Sequence, residues 1–146
     1  MHTLIILWLS LFIHRDNNMP LNKTTLYKQI KTSGIKYSDI VYAQAILESG
    51  NLKSNLVKRN NNIFGMRKPL YRETTAYAKV RGYAAYSHWT CSITDYKLYQ
   101  DYVFKHRILN RSEYKLMLQR TYSTTPDYIA RINKILKSIN INNRIK

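Results

Sequence analysis

Few side chains in this chain could move a proton. Its 146 residues include eight Asp and Glu, four His and one Cys. The acids are Asp16, Asp39, Glu48, Glu73, Asp95, Asp101, Glu113 and Asp127. Asp95 and Asp127 fall where acids serve the first turns of helices, and Asp39 follows a helix cap. Asp101 and Glu113 read as solvated helix-face residues, and Asp16 precedes the domain. Glu48 is different. It closes the apolar stretch Ala43-Gln44-Ala45-Ile46-Leu47, two residues before Gly50. A carboxylate there meets the negative end of the helix dipole and weakly hydrated surroundings, and both favour its protonated form. A carboxyl that stays protonated near neutral pH is what a general acid requires. On local pattern alone, the competing reading is a surface glutamate at a fraying helix end. His2, His14, His88 and His106 form no pair at helical ligand spacing, and the lone Cys91 leaves no thiol partner. No metal site and no cofactor are expected.

Helices must position these groups. Leu26, Tyr27 and Ile30 share a face of a first helix ending before Gly34. Ser38 reads as the N-cap of a second helix, Asp39 to Ser49. Residues 51–65 are polar and irregular. The strand formers between Tyr71 and Tyr86, with Gly82 as the turn, predict a small β-hairpin. Ser92 and Asp95 fit a capping box opening a helix to about His106. A further helix is expected over Ser112–Arg120, and Thr125-Pro126-Asp127 fits the start of a last one. The fold class is mainly α (α+β), one domain over residues 21–140. An apolar segment (1–20) precedes it and a basic tail (141–146) follows.

Charge narrows the partners. Lys and Arg number 24 against eight acids, a net +16, so the chain should adhere to polyanions such as nucleic acid, anionic lipid or a bacterial wall. The basic residues are dispersed, and no helix-turn-helix, RNP or zinc element accompanies them, which disfavours a specific nucleic-acid binder. The apolar run Leu4–Ile13 is too short to span a membrane. It fits a poor signal peptide, an upstream extension of a chain starting at Met19, or a short anchor.

Ala43-Gln44-Ala45-Ile46-Leu47-Glu48-Ser49-Gly50, then Ser54, then Asn61-Asn62-Ile63-Phe64-Gly65-Met66-Arg67 resembles the signature of the bacterial glucosaminidases of glycoside hydrolase family 73. Tyr83-Ala84-Ala85-Tyr86-Ser87, Ser92 with Asp95, and Tyr122-Ser123-Thr124-Thr125-Pro126-Asp127-Tyr128 are similar to that family's later blocks, in order. The resemblance covers roughly Leu21 to Ile139. It implies a lysozyme-like fold: a helical lobe, a small β-hairpin lobe and a sugar-binding groove between them. It implies cleavage of the β-1,4 bond after N-acetylglucosamine in peptidoglycan glycan strands, with Glu48 as the catalytic acid. Tyr122 would lie in the groove near the cleaved sugar. Phe64 either shapes the groove or is a core aromatic under the β-lobe. Ser54 either steadies the end of the catalytic helix or only caps a turn. Asn61 and Asn62 either set loop geometry or touch N-acetyl groups, and loop geometry is the expectation.

Glu73 is the one acid near the hairpin and the candidate base, although Tyr71-Arg72-Glu73-Thr74-Thr75 matches the family loosely. An inverting reaction needs a second carboxylate about 6.5–9.5 Å from the acid, and a retaining one needs it about 5–5.5 Å away. With neither, the substrate's own N-acetyl group could serve as nucleophile. The alternatives to the glucosaminidase reading are a lytic transglycosylase or muramidase of the same fold, then a non-enzymatic basic nucleic-acid module. The expected setting is a monomer acting on the anionic cell-wall surface, exported or phage-delivered.

Overall fold

The computed structural model describes residues 18–123 and 125–144. The apolar segment through residue 17, Thr124 and the last two residues of the basic tail lie outside the described residues. Among the described residues, six helices and one two-stranded sheet follow in the order α1 (Lys23–Thr32), α2 (Ser38–Glu48), α3 (Asn55–Asn60), β1 (Ala78–Val80), β2 (Tyr83–Ala85), α4 (Trp89–His106), α5 (Arg111–Tyr122) and α6 (Tyr128–Arg144).

α2 is the central element. Ile40, Val41, Tyr42, Ala43, Gln44 and Ala45 are all buried, because α1 and α6 pack against it. A helix that is apolar on every side has to be enclosed in this way. Around it lie Leu26 and Ile30 from α1, Trp89, Ile93 and Tyr96 from α4, Tyr114 and Leu118 from α5, and Ile132 and Leu136 from α6. The core also holds polar groups that bond one another. The Tyr96 hydroxyl donates to Gln44 Oε1 at 2.7 Å and pairs with the Tyr114 hydroxyl. Gln100 Nε2 donates to Tyr114 Oη at 3.1 Å and to the Lys36 carbonyl at 2.8 Å.

The sheet is a single antiparallel pair, Ala78 opposite Ala85 and Val80 opposite Tyr83. Arg81 and Gly82, both at positive φ, make the two-residue turn whose twist suits a hairpin. An asparagine clip ties this lobe to the end of α3. Asn62 Nδ2 donates to the carbonyls of Met66 (2.8 Å) and Ala84 (2.9 Å), and its Oδ1 accepts from Met66 N–H. Asn60 Nδ2 reaches the Val80 and Ala84 carbonyls, and Asn61 Nδ2 the Tyr86 carbonyl.

Several boundaries differ from the sequence expectations. The hairpin is shorter: Tyr71–Thr75 does not pair as strand, because its polar groups are held by α4. The Thr75 hydroxyl donates to the Cys91 carbonyl at 2.6 Å, and Arg72 is bound to Asp95. α4 begins at Trp89, capped by His88, so Ser92 and Asp95 are not its capping box. Both are buried inside the helix. The Ser92 hydroxyl donates back to the Trp89 carbonyl, while the Trp89 indole N–H is fixed to the Met19 carbonyl at 2.9 Å. Tyr37, not Ser38, stands at the N-cap of α2 with φ 54. Its ring packs on Tyr114 and its hydroxyl donates to the Leu109 carbonyl, so tertiary packing overrides the local capping preference. α6 opens at Tyr128, three residues after Thr125, and runs on through Arg144.

Candidate active site

Glu48 is the last residue of α2. Beyond it the chain turns sharply: Gly50, Asn51 and Leu52 follow one another at positive φ of 56, 58 and 68. Left-handed backbone costs a residue other than glycine about 1–2 kcal/mol, so the turn survives only because it is tied down. The Ser49 hydroxyl accepts from Leu52 N–H at 2.9 Å, and Asn51 N–H reaches the Ile46 carbonyl. Strain concentrated beside one carboxylate is a common mark of a working site.

The two oxygens of Glu48 are differentiated. Oε1 accepts a hydrogen bond from the Tyr128 hydroxyl at 2.8 Å. Oε2 lies toward Gly65, where an added Cβ would sit 3.8 Å from it. Burial raises the carboxyl above the usual carboxylate range, opposed by the Tyr128 hydrogen bond and by the charge of Arg131. The phenols around it are pushed up as well. Burial, then the neighbouring Tyr99, Tyr114, Tyr128 and Glu48, hold Tyr122 well above the ordinary tyrosine value. Burial and Glu48 do the same to Tyr128.

Glu48 opens into a cleft of about 630 Å³ between the helical lobe and the β-lobe. Thr121 and Tyr122 line the helical side, Gly65, Met66 and Arg67 the loop after the asparagine clip, and Tyr83 the hairpin. Arg72 also lines it, held in place by Asp95, whose side chain is fully buried; Nη1 to Oδ1 is 2.7 Å. The Tyr86 hydroxyl donates to the other oxygen of Asp95 at 2.6 Å. Glu48 is the sole carboxylate lining this cleft among the described residues. No group of three or more His, Cys, Asp or Glu that could hold a metal occurs among the described residues.

The other residues singled out by sequence fall as follows. Tyr122 reaches the cleft. Phe64 does not: it is fully buried, packed on Tyr96 with ring centroids 4.3 Å apart. Its neighbour Gly65 presents backbone to the cleft instead. Ser54 is not among the cleft-lining residues; its hydroxyl accepts from Val57 N–H and caps α3, and its own N–H bonds the Ser49 carbonyl. Glu73 is exposed in the loop before β1 and is not among the cleft-lining residues. Two residues were missed. Tyr128 lies in the Y-x-T-x-P-x-Y block, so the signal was present but its assignment to Glu48 was not. Arg72 carried no signal beyond being next to Glu73.

A family model described as mannosyl-glycoprotein endo-beta-N-acetylglucosaminidase matches residues 23–141. The chain belongs to that glucosaminidase family. The glucosaminidase is therefore a glycoside hydrolase, and the matched span agrees with the Leu21 to Ile139 resemblance read from sequence. Among solved structures it is similar to the catalytic domain of the autolysin Auto from Listeria monocytogenes, with a TM-score of 0.54 and 21% identity. The match covers 83% of this chain and 81% of that one. That likeness agrees with a lysozyme-like fold, helical with one small two-stranded sheet. No curated protein matches the chain. No helix among the described residues is long and apolar enough to cross a membrane.

Proposed function

We propose that this glucosaminidase hydrolyses the β-1,4 bond after N-acetylglucosamine in peptidoglycan glycan strands, with Glu48 as the proton donor. The observation that carries this reading is the placement of Glu48, the sole carboxylate lining the cleft among the described residues, with one oxygen bonded to Tyr128, the other directed toward Gly65, and burial raising its carboxyl. A donor needs both a proton at working pH and a fixed direction.

The absence of a second carboxylate from the described cleft lining favours assistance by the substrate. The carbonyl oxygen of the sugar's N-acetyl group attacks C1 as the C1–O bond breaks, and the leaving oxygen takes the Glu48 proton. Water then attacks C1 of the cyclic intermediate, breaking the bond from C1 to the N-acetyl oxygen and restoring the amide, and gives its proton to the Glu48 carboxylate, so the anomer is retained. Tyr122, with its hydroxyl kept neutral, stands where it can hydrogen-bond the reacting sugar. Glu73, exposed outside the lining, has no part in this scheme. The net charge of +16 suits an anionic wall, and the site of action is the cell wall, reached by export or by phage delivery.

Purified sacculi test this reading. Wild-type enzyme should release fragments with reducing N-acetylglucosamine ends, one water heavier than anhydro products. Glu48→Gln should lower turnover about 10²- to 10⁴-fold with an unchanged thermal melt. Glu73→Gln should stay near wild type, with a retained anomer in the fresh product by NMR. An active Glu48→Gln enzyme overturns the assignment of the acid, and an inverted anomer overturns the N-acetyl route.

A further inference from the structure

Two guanidinium groups line the cleft, and they are not equivalent. Arg72 is committed to Asp95 and to the Glu73 carbonyl. Arg67 makes no ion pair among the described residues. It is exposed, and its guanidinium carbon lies over the ring of Tyr83, 5.9 Å from the centroid. Both partners are anchored from below. Arg67 follows Met66, whose N–H and carbonyl are both bonded to Asn62. Tyr83 is the first residue of β2, paired with Val80. The cation acting on Glu48 is Arg131, and Arg67 is not among the groups that shift it. Arg67 thus presents a charge to the cleft that Glu48 also lines.

We propose that Arg67, carried on Tyr83, is a specificity residue that binds a carboxylate borne by the muramyl sugar next to the cleaved N-acetylglucosamine; this rests on the peptidoglycan reading above. The physical case is one of matching. A planar guanidinium suits a carboxylate with two parallel N–H···O bonds, and a cation–π contact with an aromatic ring restrains where that fork sits. A neutral polymer of N-acetylglucosamine offers no such group. Muramyl sugars offer two sources of one chemistry: the free lactyl carboxylate of peptide-free strands, and the carboxylates of an attached stem peptide. Binding either one replaces water around Arg67 with a pre-oriented partner, so little ordering is needed on the protein side.

The test uses the whole chain in the Glu48→Gln background, so that binding is read without turnover. Affinity is measured by calorimetry for three probes: peptide-free glycan strands, the same strands with lactyl carboxyls reduced to alcohols, and strands bearing stem peptides. Each is measured with Arg67 present and with Arg67→Gln added. If the lactyl carboxylate is the ligand, Arg67→Gln weakens the first probe about three- to tenfold, the scale of a partly exposed charge pair, and leaves the reduced strands unchanged. If the stem carboxylate is the ligand, the loss falls on the third probe alone. Equal losses on charged and reduced strands, or no loss on any probe, overturn the proposal. Sacculus hydrolysis by the otherwise wild-type Arg67→Gln enzyme keeps the two readings apart. No cleavage by wild type sinks the peptidoglycan reading, whereas wild-type cleavage with carboxylate-blind binding sinks this inference alone.

Discussion

At Glu48, opposing influences meet on one carboxyl. Burial raises it, while the Tyr128 hydroxyl and the Arg131 charge lower it. Tyr128→Phe removes a donor that favours the charged form, so the Glu48 pKa should rise further. If Glu48 is the proton donor proposed above, activity falls as pH climbs through that pKa. The alkaline limb of the kcat/KM profile should therefore move to higher pH in Tyr128→Phe. The same change frees Oε1 to rotate, and kcat should fall about tenfold from lost orientation. A limb that stays put or moves down would remove Tyr128 from control of the acid. The proposed acid, Glu48, stood out in the sequence because its context is local: an apolar helix end followed by glycine. Which phenol touches it was not. Tyr122 and Tyr128 share one motif, and only the packing of α6 against α2 selects Tyr128 as the hydrogen-bond partner of Oε1.

Among the elements, the least visible from sequence were those fixed by side chains far apart in the chain. The pairing of Arg72 with Asp95 spans 23 residues and turns an expected strand into a loop held on α4. Phe64 was ambiguous because N-N-x-F-G marks position along the chain, not direction; the buried ring and the cleft-facing glycine are adjacent. The asparagines, expected to set loop geometry, do so at Met66, Ala84 and Tyr86. Asn62→Ala would strip hydrogen bonds from Met66 N–H and from the Met66 and Ala84 carbonyls, all in buried contacts. Leaving buried polar groups unpaired costs about 1–3 kcal/mol each, partly offset by the bonds that remain, Ala84 N–H to the Met66 carbonyl and Asn60 Nδ2 to the Ala84 carbonyl. A drop of about 2–4 kcal/mol in unfolding free energy is expected, read by denaturant titration. Loss of activity should exceed the loss of fold, since Gly65 and Arg67 flank the loosened residue.

For the whole molecule, a net charge of +16 makes attraction to an anionic wall long-ranged and screenable. Retention on sacculi should fall steeply across a salt series, and retention that stays flat would mean that sugar contacts alone hold the enzyme. The tyrosine-rich interior sets a different boundary. Tyr96 and Tyr114 are buried, and burial raises both phenols, Tyr96 well above the ordinary value. The folded state therefore keeps protons that the unfolded chain gives up above about pH 10. Stability is intact below that pH and falls as pH rises beyond it, because the unfolded state binds fewer protons. The enzyme thus carries its own optical reporter of failure. In an alkaline titration a cooperative rise in the ultraviolet absorbance of tyrosinate should coincide with loss of helical circular dichroism, when interior phenols such as Tyr96 and Tyr114 ionise together as the fold opens.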